Sequence, residues 1–315
     1  MPDIDAANVH QPVMPDETVT LLSAHTGSLY VDATLGMGGH TEAVLSVSAE
    51  SQVIAIDQDA EALNLAKDRL ARFGTRVEFV HANFESIRNV VGNRQPDGIL
   101  ADLGVSSMQL DSETRGFSFR FDAPLDMRMN PDSGGITAAE LLKTSSQEEI
   151  ADFIYRFGEE RHSRRIARRI VEKRERGEPV TTTFGLADLV KRSVPHSRKD
   201  KIHPATRTFQ ALRIAVNREL EIIEKFIDDA VDILKINGVL AIITFHSLED
   251  RIVKQAFQRL SGKCLCPPKI PQCVCGAVKR VEILTRKPVT ASEWEQRENP
   301  RSRSAKLRAC RKTGQ

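Results

Sequence analysis

The chain contains no apolar run of the roughly 18 residues that a membrane-spanning helix needs. Its opening, Met1-Pro-Asp-Ile-Asp5, is acidic and has no apolar core, so it does not read as a secretory signal. A cytoplasmic protein without membrane attachment is the expectation. Cysteine is scarce: five in 315 residues, four of them crowded into 264–275. An odd number so distributed is not the disulfide framework of a secreted fold. A large charge excess is also missing. The net charge is +2, so bulk charge does not announce a nucleic-acid binder. There is no internal repeat and no long low-complexity segment.

What is present is ordinary globular material, 40% hydrophobic and 28% charged, long enough for one large domain and a smaller one. Basic residues concentrate at 161–176 and 297–312. The first hundred residues alternate strand and helix patterns. Short apolar runs at 28–33, 52–56, 76–81 and 98–101 read as strands, and 60–73 reads as a helix with Ala62, Leu63, Ala66 and Leu70 on one face. Strands separated by helices argue for a parallel α/β sheet. From about Asp111 to Thr208 no core strand is apparent: a loop over 113–135 precedes several helices. The strand pattern returns at 237–245 and again at 279–284, with a helix over 249–260 between them. The expected fold is therefore an α/β sheet domain, 1–112 and 209–315, interrupted by a helical insertion, 113–208.

Ligands of open α/β sheets bind at the carboxyl ends of the strands, where strand order reverses. Gly36, Gly38 and Gly39, in Asp32-Ala-Thr-Leu-Gly-Met-Gly-Gly-His40, follow the first strand and precede a helix. Asp57 closes the second strand, where a carboxylate can accept from both hydroxyls of a ribose. A glycine turn with an acid fits NAD, FAD or S-adenosylmethionine, and glycines alone fit a bare strand-to-helix turn. The dinucleotide fingerprint asks for Gly or Ala where Thr41 stands. Asp32 is placed where a methionine ammonium could pair with it. Both features favour S-adenosylmethionine.

Two further strand ends point to the same edge. Phe84 follows the third strand and has two readings, an aromatic stacking on adenine or a core residue capping the sheet. Asp102, in Asp102-Leu-Gly-Val-Ser-Ser107, follows the fourth, where methyltransferases of amino groups place the group that handles the target nitrogen; a helix cap is the plainer reading. The lone pair of a base's exocyclic amine is delocalised into the ring. Acceptors gripping its N–H groups localise that pair as the methyl arrives, which stabilises the transition state rather than the substrate.

Several strings in the chain are long and compositionally unusual. They are Asp-Leu-Gly-Val-Ser-Ser-Met-Gln-Leu-Asp111, Arg-Gly-Phe-Ser-Phe119, Pro-Leu-Asp-Met-Arg128, Tyr-Arg-Phe-Gly-Glu-Glu-Arg161, His-Pro-Ala-Thr-Arg-Thr-Phe-Gln210, Phe-His-Ser-Leu-Glu-Asp-Arg251 and Asn-Pro-Arg-Ser-Arg303. With these the chain, from His10 to about Lys312, resembles the RsmH (MraW) family. The resemblance implies a Rossmann-like class I methyltransferase sheet with an inserted helical domain that recognises RNA. It implies S-adenosyl-L-methionine as cofactor. The implied substrate is the N4 amine of one cytidine (the family target is cytidine 1402) in the decoding region of 16S ribosomal RNA, in the small ribosomal subunit. It implies cofactor contacts at Gly38, Gly39, His40, Asp57, Phe84, Asp102 and Gln109, with Asp102 also catalytic. Thr41 stands where Ser is expected and Met108 where Pro is common; Met108 could relax the loop that carries Gln109.

Within the insertion, Arg161, Arg165, Arg168 and Arg169 fall on one broad helical face, with Ile166 and Ile170 turned inward. A basic face suits phosphate contacts, which position RNA without reading its sequence; a solvated face paired with Glu159, Glu160 and Glu172 is the alternative. Residues 203–210 could line the target pocket ahead of a helix at 211–220. Phe245 could stack on a flipped cytosine or belong to the core, and His246 reads as a hydrogen-bonding residue rather than a base. Cys264-x-Cys266 and Cys273-x-Cys275 fit a closed tetrathiolate zinc site or reduced free thiols; no metal ligand is assigned. Cys310 stands alone in a basic tail and is assigned nothing.

Overall fold

The computed structural model describes residues 11–24, 26–195, 203–264, 266, 270, 274 and 278–314. The chain divides into two compact units, one from Met1–Gly104 and Leu220–Gln315 and the other from Val105–Glu219. The second unit is longer at both ends than the 113–208 expected. At its far end the helix Ala205–Asn217 belongs to this unit's own core, through Phe209, Ala211 and Leu212.

The first unit is a Rossmann-like methyltransferase sheet. Its strands are β1 (Leu29–Asp32), β2 (Gln52–Asp57), β3 (Val77–His81), β4 (Gly98–Asp102), β5 (Val239–Thr244), β6 (Val281–Ile283) and β7 (Lys306–Lys312), in the order β3-β2-β1-β4-β5-β7-β6. β1 to β5 run parallel, and β7 is antiparallel to both its neighbours. A strand with both faces covered by helices and loops has no polar side to show. β5, Val-Leu-Ala-Ile-Ile-Thr, is accordingly buried at every position. One face of the sheet packs Ile54, Ile99 and Ile242 against Ile223, Phe226 and Ile227. The other packs Ala55, Leu100 and Ile243 with Leu45, Leu63 and Leu70. Strand order reverses at β1, between β2 and β4, which opens the ligand crevice at the carboxyl ends of those strands.

Two local expectations change. The helix from Ala60 ends at Leu70, not Phe73, and gives way to a 3-10 segment containing Gly74 at φ 55°, a left-handed conformation that stops regular helix. The larger change is β7, which sequence patterning treats as a basic tail. Its Leu307 and Ala309 face one core, while Cys310 faces the other. Burial pushes the Cys310 thiol pKa up, which marks a packing residue and not a nucleophile. Arg308 is only 6% exposed and donates from Nε to Asp250 Oδ1 at 2.6 Å. That pairing lets an arginine occupy an interior strand. Arg308→Ala leaves Asp250 half-buried with only Lys306 beside it at 3.3 Å, and is expected to cost about 2–4 kcal/mol. Urea denaturation of the two proteins measures it; a loss under about 1 kcal/mol would show the pair contributes little.

The second unit is helical. The helix Gln147–Gly158 packs on Ser163–Glu175 and on Ala205–Asn217 around Ile150, Ile154, Ile166, Ile170 and Leu212. No helix among the described residues is long and apolar enough to cross a membrane.

Candidate active site

The turn after β1 is built by backbone geometry. Gly36 lies at φ 51° and Gly38 at φ 79°, conformations that side-chain-bearing residues rarely adopt. At Gly38 a Cβ would also lie 2.9 Å from Leu70 Cδ1. Asp57, half-buried at the end of β2, holds the turn from the neighbouring strand. Its Oδ2 accepts from Gly36 N–H at 2.7 Å and its Oδ1 from Asp59 N–H at 2.9 Å. Burial pushes its carboxyl pKa up to about 6, against the opposing pull of those two N–H groups.

Asp32 is buried beneath the turn. Its Oδ2 accepts from the Thr41 hydroxyl at 2.7 Å and its Oδ1 from Thr34 N–H at 3.3 Å. Burial raises its pKa while the nearby His40 opposes that shift. Each oxygen thus accepts one hydrogen bond from within the turn. Thr41 supplies the hydroxyl that a serine would, so that departure from the family pattern costs nothing here. Thr34 adds a link that sequence reasoning missed: its Oγ1 accepts from Asp102 N–H at 2.6 Å, tying the β1 turn to the end of β4.

His40 and Asp102 meet at this edge. His40 Nε2 lies 3.5 Å from Asp102 Oδ2, without the alignment of a hydrogen bond. Both ring nitrogens of His40 and the Oδ1 of Asp102 are buried with no hydrogen-bond partner. Such groups are rare in folded proteins because each forfeits the solvation it had in water.

Phe84 is half-buried on a 3-10 turn capped by Asn83, with its ring edge-on to Phe226 at 5.0 Å between centroids. The core therefore holds one side of Phe84. Phe245 follows β5, and its Cδ2 is 3.4 Å from where a Cβ on Gly104 would be. That places an aromatic wall beside the Asp102-Leu-Gly104 corner. His246 is occupied in capping the helix Ser247–Leu260: its Nδ1 accepts from Glu249 N–H at 3.5 Å, and Glu249 Oε2 accepts from Phe245 N–H at 2.8 Å. Gly38, Gly39, His40, Asp57, Phe84 and Asp102 all belong to the sheet unit. Gln109 belongs to the helical unit, where its Oε1 accepts from Ser106 N–H at 3.1 Å in a capping box.

In the helical unit the basic segment is sorted by burial. Arg164, Arg165, Arg168 and Arg169 are exposed on the helix Ser163–Glu175, above buried Ile166, Ala167 and Ile170. Arg161 precedes the helix, and its Nε donates to His162. Arg174 is used internally, donating to the carbonyls of Leu142, Lys143 and Ser145. Glu172 pairs with Arg168 at 3.5 Å, whereas Glu160 pairs with Arg207. In the 203–210 segment His203, Thr206 and Arg207 are exposed. Helix begins at Ala205, Thr208 and Phe209 are buried, and His203 lies against the Phe119 ring at 4.7 Å. Of the four clustered cysteines, Cys273 and Cys275 lie outside the described residues, Cys264 is exposed and Cys266 is half-buried.

Comparison with known proteins identifies the family. The MraW methylase family matches residues 7–313. The chain is 48% identical over 308 residues to the Ribosomal RNA small subunit methyltransferase H of Citrifermentans bemidjiense, covering 96% of this chain and 98% of that protein. It is 49% identical over 308 residues to the protein of the same name from Geobacter sulfurreducens, with the same coverage. The protein of that name from Fusobacterium nucleatum is 48% identical over 303 residues, 95% of each chain. A family match across residues 7–313, with relatives 48–49% identical over 96% of the chain, means that this chain belongs to the MraW methylase family.

Proposed function

We propose that this protein transfers a methyl group from S-adenosyl-L-methionine to the N4 amine of a cytidine in the decoding region of 16S ribosomal RNA, the family target being cytidine 1402. The observation that carries the reading is the group of buried, unpartnered polar atoms on His40 and Asp102 beside the aromatic wall of Phe245. Their missing partners are what a bound cofactor and a target amine supply, so the residues fit both.

The cofactor brings an activated methyl on a positively charged sulfur. The chain does the rest. Asp57 accepts from the ribose hydroxyls, and Phe84 offers its free side to the adenine. Gly38 and Gly39 meet the ligand through their backbone, and His40 donates into the cleft. Asp102 accepts from the N4 amine, localising the nitrogen lone pair and aiming it at the methyl carbon. The bound cofactor would supply the methyl to the nitrogen, and the Asp102 carboxylate would take up the amine proton released on transfer. Phe245 stacks on the cytosine, for which extrusion from its neighbours is the general solution.

The exposed arginines of the helix Ser163–Glu175 supply phosphate contacts. Reversing Arg165, Arg168 and Arg169 to Glu is expected to raise the KM for RNA at least about tenfold. The salt dependence of log KM should flatten by about two contacts' worth, with cofactor affinity unchanged. An unchanged salt slope would remove this face from the interface.

The test of the whole reading is to supply labelled methyl donor with unmethylated small subunits, and separately with naked 16S RNA, then map the label. Label on N4 of one decoding-region cytidine is the expected result. Label on a carbon, a ribose oxygen, another base or a protein would overturn it.

A further inference from the structure

Asn-Pro-Arg-Ser-Arg303, among the strings singled out in the sequence, takes no part in the chemistry above. It lies in the segment between β6 and β7, after the helix Glu293–Glu298 and on the 3-10 turn Pro300–Ser304. Asn299 joins these two pieces and is buried. Its backbone N–H donates to the Glu295 carbonyl at 2.7 Å, and its Oδ1 accepts from Arg301 N–H at 3.3 Å. Ser302, itself buried, donates its hydroxyl to the Asn299 carbonyl at 2.8 Å. The asparagine amide is thereby fixed, and its Nδ2 donates to the Gln11 carbonyl at 3.3 Å. One helical turn earlier, Glu295 Oε1 accepts from Met14 N–H at 2.8 Å. Two side chains from the far end of the chain thus grip both ends of residues 11–14.

That grip holds an unfavourable conformation. Met14 lies at φ 50°, ψ 50°, left-handed backbone for a side-chain-bearing residue, with its side chain fully buried. Such a residue persists only where its surroundings over-determine it. Between the two anchors, Pro12 rests on the cofactor turn. The Cβ, Cγ and Cδ of its ring each lie 3.1 Å from where a Cβ on Gly39 would be. Gly39 is not among the glycines with positive φ and is the first residue of the helix Gly39–Val47. Its backbone would accept alanine, which has the higher helix propensity. The steric reason for glycine at 39 is therefore the rigid proline ring packed against it.

We propose that Asn299 and Glu295 are positioning residues for the cofactor turn, acting through residues 11–14, and that Gly39 is glycine to seat Pro12. Clamped in this way, the start of the helix Gly39–Val47 is held before the ligand arrives, and the ordering cost of binding is lowered. The inference rests on the reading of this turn as the S-adenosyl-L-methionine site.

The experiment measures S-adenosyl-L-methionine binding by calorimetry in the full chain for Gly39→Ala, Pro12→Gly, the double variant, Glu295→Ala, Glu295→Gln and Asn299→Ala, with Asp57→Ala as reference. Gly39→Ala is expected to weaken binding about tenfold, and adding Pro12→Gly to restore most of that loss by removing the opposing ring. Glu295→Ala and Asn299→Ala are each expected to weaken binding about two- to tenfold, the range of one lost hydrogen bond. Glu295→Gln keeps the acceptor oxygen and is expected to bind like the parent. At saturating cofactor Glu295→Ala, Glu295→Gln and Asn299→Ala should turn over at the parent rate. A double variant as weak as Gly39→Ala alone would mean that the ligand itself demands the glycine, and would overturn the proposal. So would a Glu295→Gln variant as weak as Glu295→Ala. If Asp57→Ala also leaves binding unchanged, the assignment of the turn to the cofactor fails, and the clamp proposal fails with it for that separate reason.

Discussion

Replacing Asp102 by alanine is expected to lower methyl transfer at saturating cofactor by about 10²–10³-fold, the cost of removing one preorganised group from a charge-developing transition state. Cofactor affinity should change only a few-fold. The asymmetry follows from where Asp102 sits. Its backbone is anchored through Thr34, so truncating the side chain does not release the turn. Its Oδ1 is buried and unpartnered, and on the proposed reading is the acceptor for the amine. Single-turnover methylation beside calorimetry separates the two effects. Lost cofactor binding with unchanged turnover at saturation would move Asp102 from catalysis to binding.

Asp57→Ala is expected to do the reverse, raising the cofactor dissociation constant about 10²-fold with little change in turnover at saturation. Two contributions add. The ribose hydroxyls lose a charged acceptor, a kind of hydrogen bond that contributes about 1.5–3 kcal/mol. Gly36 N–H loses the 2.7 Å anchor that shapes the turn. The raised pKa of Asp57 also predicts a pH dependence. The carboxylate is the accepting form, and it is lost as pH falls through about 6. Affinity should therefore be flat above that value and decline by up to about tenfold per unit below it. Asp57→Asn carries no titrating carboxyl and should flatten the profile. Wild-type affinity that stays level down to pH 5 would show that the Asp57 carboxyl does not titrate near 6 in the binding equilibrium.

Much of the site was legible because its signals are local. A glycine turn after an apolar run, and acids closing the second and fourth runs, are consequences of strand geometry that show along the chain. Asp57 and Asp102 end β2 and β4 as that pattern requires. His40 and Gln109 carried no such signal, because a histidine at the start of a helix and a glutamine on one have many structural uses; only the resemblance singled them out. The basic segment at 161–176 was legible as a helix but not as separate roles. Its spacing could not show that Arg174 would be consumed by three carbonyls while Arg164, Arg165, Arg168 and Arg169 stay exposed.

The sequence by itself determined the Rossmann-like class, the interruption by a helical segment and the carboxyl-edge site, because hydrophobic period and strand-end acids are properties of neighbouring residues. Only the tertiary structure decided β7 and the meaning of Gly39. Arg308 can sit inside a sheet because Asp250, on a helix 58 positions away, neutralises it. Gly39 acquired its reason from Pro12, held in place by Glu295 and Asn299 from the opposite end of the chain. In each case the deciding partner is distant in sequence and chosen by packing, so no pattern confined to neighbouring residues could carry it.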